Sequence, residues 1–493
     1  MSRKAVVIGS GVAGLAVAIR LAVQGYKVDV FEANDYLGGK LSEFSVDGFR
    51  FDAGPSLFTM PQLVDDLYTL AGKNPKDHFH YQRLASITKY FYEDGTQVNA
   101  WAEPERLADE LERQLGEPKE NTLSALKKSQ ELYDLTAHIF LRNSLHNVQA
   151  YLTGKALSTL AQLHKIDAFR TMHDANSRRF KNAKTVQLFN RYATYNGSDP
   201  YQAPATLNII PHLEFNMGAY FPKGGMYSIT KSLAALASEL GVQFYLSSQV
   251  EEIVCEKGTA IGVMVKGSLV KAEVVVSNMD IVQTYRKLLR TQKAPEKLLN
   301  RPKSSSALIF YWGIDREFPS LELHNIFFSN DYREEFQHLF QRRAVSNDPT
   351  VYVNISSKME PTDAPEGMEN WFVMINVPNN SGQDWEQIKQ QARQHIITKL
   401  SRILGVEIQK HIIAEKVLDP VLIEQRTSSY QGALYGNSSN DRFAAFLRHA
   451  NFHSDQKGLY FCGGSVHPGG GIPLCLLSAE ITAGLITKRE PKP

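Results

Sequence analysis

The sequence predicts an α/β protein in which a Rossmann-like nucleotide-binding domain, assembled from separated segments, carries a second, α+β domain. Three observations lead there. Residues 4–32, "KAVVIGSGVAGLAVAIRLAVQGYKVDVFE", read as strand, glycine turn, helix and strand. A block from about 301 to 424 holds the runs "SALIFYWGI", "TVYVNISS" and "NWFVMINV", rich in aromatic and β-branched residues as strands are. The chain closes with a strand, "GLYFCGG", a glycine-rich loop, "HPGGGIP", and an apolar helix, "LCLLSAEITAGLI".

In the opening unit each glycine has a physical task. Gly9 permits the tight turn, Gly11 lets the backbone approach a pyrophosphate, and Gly14 lets helix and strand pack closely. The helix start then offers unpaired N–H groups to phosphate oxygens. Glu32 ends the next strand, where an acid binds ribose hydroxyls. The plainer alternative is a tight turn holding nothing. In "LGGK", Gly39 belongs to a pair that lets a second loop pass the same pyrophosphate, and Lys40 offers it a cation, although a solvated lysine is the simpler reading. Asp47-Gly48, between alternating apolar residues, predicts a hairpin. "DAGPS" then breaks the strand at Gly54 and Pro55.

These motifs, with "FDAGPS", "YFPKGGMYSI", "AEVVVSNMD" and "LYFCGGSVHPGGGIPLCLLSAEITAG", resemble the flavoprotein amine oxidase superfamily and, within it, the phytoene desaturase-type carotenoid desaturases. The stretch "NRYATYNGSDPYQAPATLNIIPHLE", residues 190–214, is most similar to the hydroxycarotenoid 3,4-desaturases. The resemblance implies FAD as the dinucleotide. It implies cofactor contacts at Pro55, Ser56, Leu57, Asn278, Gly463, Gly464, Gly471 and Ile472, and a backbone contact from Val250 to the adenine. The "HPGGGIP" loop is then expected along the flavin, with Ser465 standing where many related flavoproteins have an acid.

The expected FAD-binding domain has three pieces, 1–75, 220–300 and 425–493. Residues 76–219 form the helical, membrane-facing part of the substrate domain, and 301–424 supply its sheet. Helices are expected over Pro61 to Gly72, Pro104 to Leu115, much of 122–192, and from near Asp384. Ile229, Leu233, Leu236 and Leu240 line one face of another, ended by Gly241.

Composition bounds the remainder. The 493 residues suit two lobes, with 43% hydrophobic content, and a net charge of +2 gives no case for nucleic acid. Cys255, Cys462 and Cys475 lack metal-ligand spacing, so no metal is expected, and their odd number suits a reducing cytosol. There is no apolar run of about 18 residues, and Met1 to Lys4 leads directly into a strand, so neither a spanning helix nor a targeting segment is expected. A cytoplasmic protein docked on the membrane surface is expected. Residues 151–191 carry Lys155, Lys165, Arg170, Arg178, Arg179, Lys181, Lys184 and Arg191 among leucines and Phe169, a pattern that suits an anionic surface or an ordinary solvated face.

The function implied is desaturation of a hydroxylated carotenoid at C-3,4, by hydride transfer to flavin and proton loss from the neighbouring carbon. The positioned, dry site is the protein's share and the flavin carries the chemistry. The reduced flavin then passes its electrons to oxygen or a quinone. Tyr192, Tyr195 and Tyr201 are substrate candidates, with Asn196, Ser198 and Asp199 as hydrogen-bonding groups for the hydroxyl or merely as a turn. His467 is the catalytic candidate, with loop anchoring its plainer role. A phytoene-type multi-step desaturase, an amine oxidase and a non-enzymatic prenyl-chain escort are the competing readings, and fold alone does not separate them.

Overall fold

The computed structural model describes residues 3–144, 146, 167, 169–441 and 448–490. Five strands form an all-parallel sheet in the order Gln243–Tyr245, Lys27–Phe31, Lys4–Ile8, Val274–Ser277, Leu459–Phe461. Members of one sheet thus come from the front, middle and tail of the chain. The interior strands are near-continuous apolar runs because helices and a second sheet cover both faces. Helix Val12–Val23 is buried almost all round, wedged between the sheet and helices Tyr227–Glu239 and Ile472–Arg489. Such an apolar helix has no solvent face to present. The antiparallel strands Val250–Glu256, Thr259–Val265 and Ser268–Lys271 pack over the other side.

A seven-stranded sheet builds the second lobe, in the order Ile412–Leu418, Ser306–Ile314, Glu369–Val377, Val351–Ile355, His324–Phe327, Ser86–Phe91, Gln97–Trp101. Its pairs are antiparallel except His324–Phe327 on Ser86–Phe91. Here the structure corrects the expectation of a helical 76–219. That segment also contributes Tyr81–Arg83, Ser86–Phe91 and Gln97–Trp101. "ITKYF" forms a hairpin with Gln97–Trp101 across a turn at Asp94-Gly95, a local signal that the helical expectation does not use, while its parallel partner His324–Phe327 lies more than 200 residues away. Among the described residues its α-helices are Pro104–Leu115, Lys119–Phe140, Met172–Arg179 and Ala183–Asn190.

Local chemistry explains the remaining elements. Asp47 and Gly48, at φ 48° and 85°, turn the hairpin Glu43–Val46/Phe49–Asp52 as a two-residue loop with both central residues at positive φ. Asp384 caps Trp385–Leu404 by accepting from the Gln387 N–H at 3.1 Å, and Gly405 ends it in the left-handed region. No described helix is long and apolar enough to cross a membrane.

Candidate functional site

The front loop is built on close backbone approach. Gly9 has φ +90°, and a side chain on Gly14 would collide with the Gly9 carbonyl oxygen, so the helix lies directly on the turn. Gly11 caps helix Val12–Val23 without a side-chain hydrogen bond, leaving its first N–H groups and positive dipole end open to an anion. The second glycine pair arrives at this point. Gly38 bridges Gly11, and a Cβ on Gly39 would stand 3.6 Å from the Gly11 Cα. Glu32 lies beside them. One of its carboxylate oxygens accepts from the Ser10 N–H and hydroxyl at 2.8 and 2.7 Å, and the other accepts from the Asn34 N–H and amide, both at 2.9 Å. Ser248 donates its N–H to the Glu32 carbonyl at 2.8 Å, which brings Val250 to the same edge.

The tail meets the front loop around Asn278. Its backbone N–H extends the sheet by donating to Ile8 O, while Cys462 N donates to Ser277 O. Its amide nitrogen faces the positions a Cβ would take on Gly11 and Gly14, at 2.8 and 3.0 Å, and its Oδ1 stands 2.7 Å from a Cβ built on Gly463. Gly464 packs on Gly470. Gly471 is exposed, has φ +103°, and caps helix Ile472–Arg489 with no side-chain hydrogen bond and open space beside it. A second uncapped helix N-terminus therefore opens at the tail loop, with Ile472 buried beneath it.

Other expected contacts are placed differently. Lys40 donates to the Ala433 and Leu434 carbonyls at 3.3 and 2.9 Å; burial lowers its pKa, with Asp280 opposing. Two of its three N–H donors are thus engaged by the backbone. Ser465 accepts from the Ile281 N–H at 2.9 Å. Pro55 follows Gly54, whose missing side chain leaves room for the Lys40 carbonyl. Ser56 and Leu57 turn toward the second lobe, Ser56 hydrogen-bonding Tyr352 at 2.7 Å and Leu57 packing on its core.

His467 is 1% exposed, and its Nε2 donates to the Asn143 carbonyl at 2.9 Å. Burial pulls its pKa down to about 4, so it is neutral at neutral pH. Its backbone is held as well, by Asn451 and Ser478 on its carbonyl. This geometry is that of a loop anchor. Arg448, which carried no sequence signal, lies under the same loop. Its guanidinium donates to the carbonyls of Tyr435, Gly464 and Asn437 and to the Asn196 side chain, with no carboxylate within 4 Å among the described residues. Burial lowers its pKa to about 10.

In the second lobe Tyr192 and Tyr195 both donate to Glu214, Tyr192 at 2.7 Å. Arg191 lies over their rings at 4.7 and 5.0 Å, donates to Tyr195 and Tyr90, and stands 3.7 Å from Glu214. Glu214, 1% exposed, was not singled out in sequence, and Arg191 was assigned to the basic face; the structure corrects that by burying it. Tyr201 is apart from this group, against His173 and under Arg333. Asn196, Ser198 and Asp199 are likewise engaged, with Ser439, Arg448 and Asn440, so the turn reading holds for them. On the basic face, Arg178 and Lys181 are exposed, Arg170 pairs with Asp167 and Lys184 with Asp94. Lys155 and Lys165 lie outside the described residues.

Comparison with known proteins now decides the family. The sequence pattern of flavin containing amine oxidoreductases matches residues 12–487. The chain belongs to that family. It is 48% identical over 485 residues to a 1-hydroxycarotenoid 3,4-desaturase of Flavobacterium sp. (strain P99-3), covering 98% of this chain and 99% of that protein. It is 34% identical to a 4,4'-diapolycopene oxygenase of Methylomonas sp, covering 97% of each. Among solved structures, cyclohexylamine oxidase from Brevibacterium oxydans IH-35A superposes with a TM-score of 0.64 over the whole of both chains at 16% identity, and a putrescine oxidase variant with 0.65 over 99% of both at 14%. At such identities these two share the fold alone.

The family resemblance drawn from the motifs is therefore borne out, and the cofactor of this flavoenzyme is FAD. The residues present suit it. Two uncapped helix N-termini and glycine surfaces without side chains lie at the carboxyl ends of one parallel sheet, with a carboxylate at the second strand end. Among the described residues no cluster could hold a metal ion.

Proposed function

We propose that this chain is an FAD-dependent carotenoid desaturase introducing a C-3,4 double bond into a 1-hydroxylated carotenoid end. The observation that carries the reading is the 48% identity, end to end, to a protein of that activity, against 34% for the oxygenase. Bound FAD supplies the hydride acceptor. Gly9, Gly11, Gly14 and Gly39 would admit the pyrophosphate, Glu32 the ribose and Val250 the adenine, while Pro55, Ser56, Leu57, Asn278, Gly463, Gly464, Gly471 and Ile472 would line the flavin half. The uncapped start of Ile472–Arg489 favours negative charge next to it. His467 and Arg448 hold the tail loop in place, and the apolar second lobe excludes water from the polyene. The pieces 1–75, 220–300 and 425–493 serve the cofactor, and 76–219 with 301–424 the substrate. Electrons leave to oxygen or a quinone, and the enzyme meets its substrate at the membrane surface.

The purified protein, FAD and 1-hydroxylated carotenoids in liposomes provide the test. A product two hydrogens lighter with unchanged oxygen content supports the reading. Addition of oxygen would favour the oxygenase relatives instead, and a protein that binds carotenoid without flavin reduction would favour an escort.

A further inference from the structure

Tautomer reasoning at His324 exposes a buried donor that nothing in the fold uses. The Asn354 amide nitrogen donates to Leu323 O at 3.0 Å and lies 3.1 Å from His324 Nδ1, so Nδ1 is an acceptor. The Tyr352 hydroxyl lies 2.7 Å from Nδ1, so the two donors share its single lone pair. The ring is neutral, since burial and the nearby Arg191 lower its pKa to about 3. The proton therefore sits on Nε2. That N–H is buried and has no hydrogen-bond partner among the described residues, and the same holds for the Nε–H of Arg191. Each Glu214 oxygen accepts one tyrosine hydroxyl, from Tyr192 and Tyr195. An unused buried donor on His324 suits an oxygen atom as its partner.

Location supplies the second line of argument. In a 1-hydroxylated end the oxygen is three bonds from C-3 and four from C-4, hence within about 5 Å of both reacting carbons. The group that holds the hydroxyl must therefore lie beside the flavin. Ser56, in the loop assigned to the cofactor, bonds Tyr352 at 2.7 Å, and Tyr352 bonds His324. His324 is thus two hydrogen bonds from the flavin loop, whereas Tyr201 belongs to a different cluster.

We infer that the Nε2–H of His324 receives the tertiary hydroxyl oxygen of the carotenoid and sets the preference for hydroxylated over deoxy ends. This rests on the desaturase reading and names the residues that select its substrate. A site built to hydrogen-bond a hydroxyl disfavours the analogue lacking it because its donors are left unpaired.

The test compares kcat/KM for a 1-hydroxylated carotenoid and its 1-deoxy counterpart in wild type, His324→Leu, His324→Phe and His324→Gln. The ratio should fall about tenfold in the apolar variants, the scale of one lost buried hydrogen bond, and recover in His324→Gln, which restores an N–H. An unchanged ratio in either apolar variant overturns the inference and leaves water as the partner of His324. Wild-type holoenzyme labelled with 15N-histidine gives an answer independent of folding: the His324 Nε2 resonance should shift with the hydroxylated ligand and not with the deoxy one, and equal shifts overturn the inference. If the wild type desaturates neither substrate, the desaturase reading itself fails, which is a separate outcome.

Discussion

A side chain on Gly463 would stand 2.7 Å from Oδ1 of Asn278. Asn278 in turn faces Gly11 and Gly14, so one amide spaces the front and tail glycine loops. At Gly463, φ +108° adds backbone strain to any larger residue. Gly463→Ala should lower stability by about 1–3 kcal/mol and weaken FAD binding at least tenfold. Thermal melting of the apoprotein and a flavin fluorescence titration measure the two effects separately.

Glu32 accepts four hydrogen bonds from Ser10 and Asn34, and a ribose hydroxyl would take the place of one of them. Glu32→Gln turns one acceptor into a donor facing donors. A loss of about 1–3 kcal/mol in apoprotein stability is expected, together with weaker FAD binding. Unchanged denaturant midpoints and flavin affinity would show that the carboxylate is not the organiser of the turn.

Arg448 uses a planar fork to reach three carbonyls and an amide oxygen on three segments, at Tyr435 and Asn437, at Gly464 and at Asn196. Lysine cannot span them from a single point. Both Arg448→Lys and Arg448→Met should cost about 2–4 kcal/mol and loosen the tail loop, read as faster proteolysis and lower flavin retention on gel filtration. Full retention in Arg448→Lys would refute the fork argument.

His449 and His467 are both buried with pKa values lowered to about 4 from 6.5. Below pH 6.5 the unfolded chain gains protons that the folded chain does not, so stability falls with falling pH until about pH 4, where the folded groups also titrate. Between pH 7 and pH 5 each histidine should remove roughly 2 kcal/mol. Urea midpoints across that window should track this slope, and His467→Gln should flatten it by one histidine's share.

Phe169 is 73% exposed and lies in the same stretch of sequence as the exposed cations Arg178 and Lys181. If this face meets anionic lipid, Phe169→Ser should reduce liposome co-sedimentation about tenfold, the scale of one aromatic side chain leaving an apolar layer. Equal sedimentation of both proteins would assign docking to another face.

What the sequence determined by itself was whatever depends on neighbours in the chain. The βαβ unit, the Asp47-Gly48 hairpin, the capped helix after Asp384 and the glycine-rich tail were legible because turn geometry and periodicity are set within a few residues. Only the tertiary structure decided where long polar side chains spend their hydrogen bonds. Lys40 found the carbonyls of Ala433 and Leu434, Arg191 found Glu214 rather than solvent, and Asn196 found Arg448. It also brought Ser86–Phe91 alongside His324–Phe327. The physical reason is the same in each case: a buried polar group must be paired, and its partner is whichever chain-distant group folding carries within about 3 Å, which no local spacing encodes.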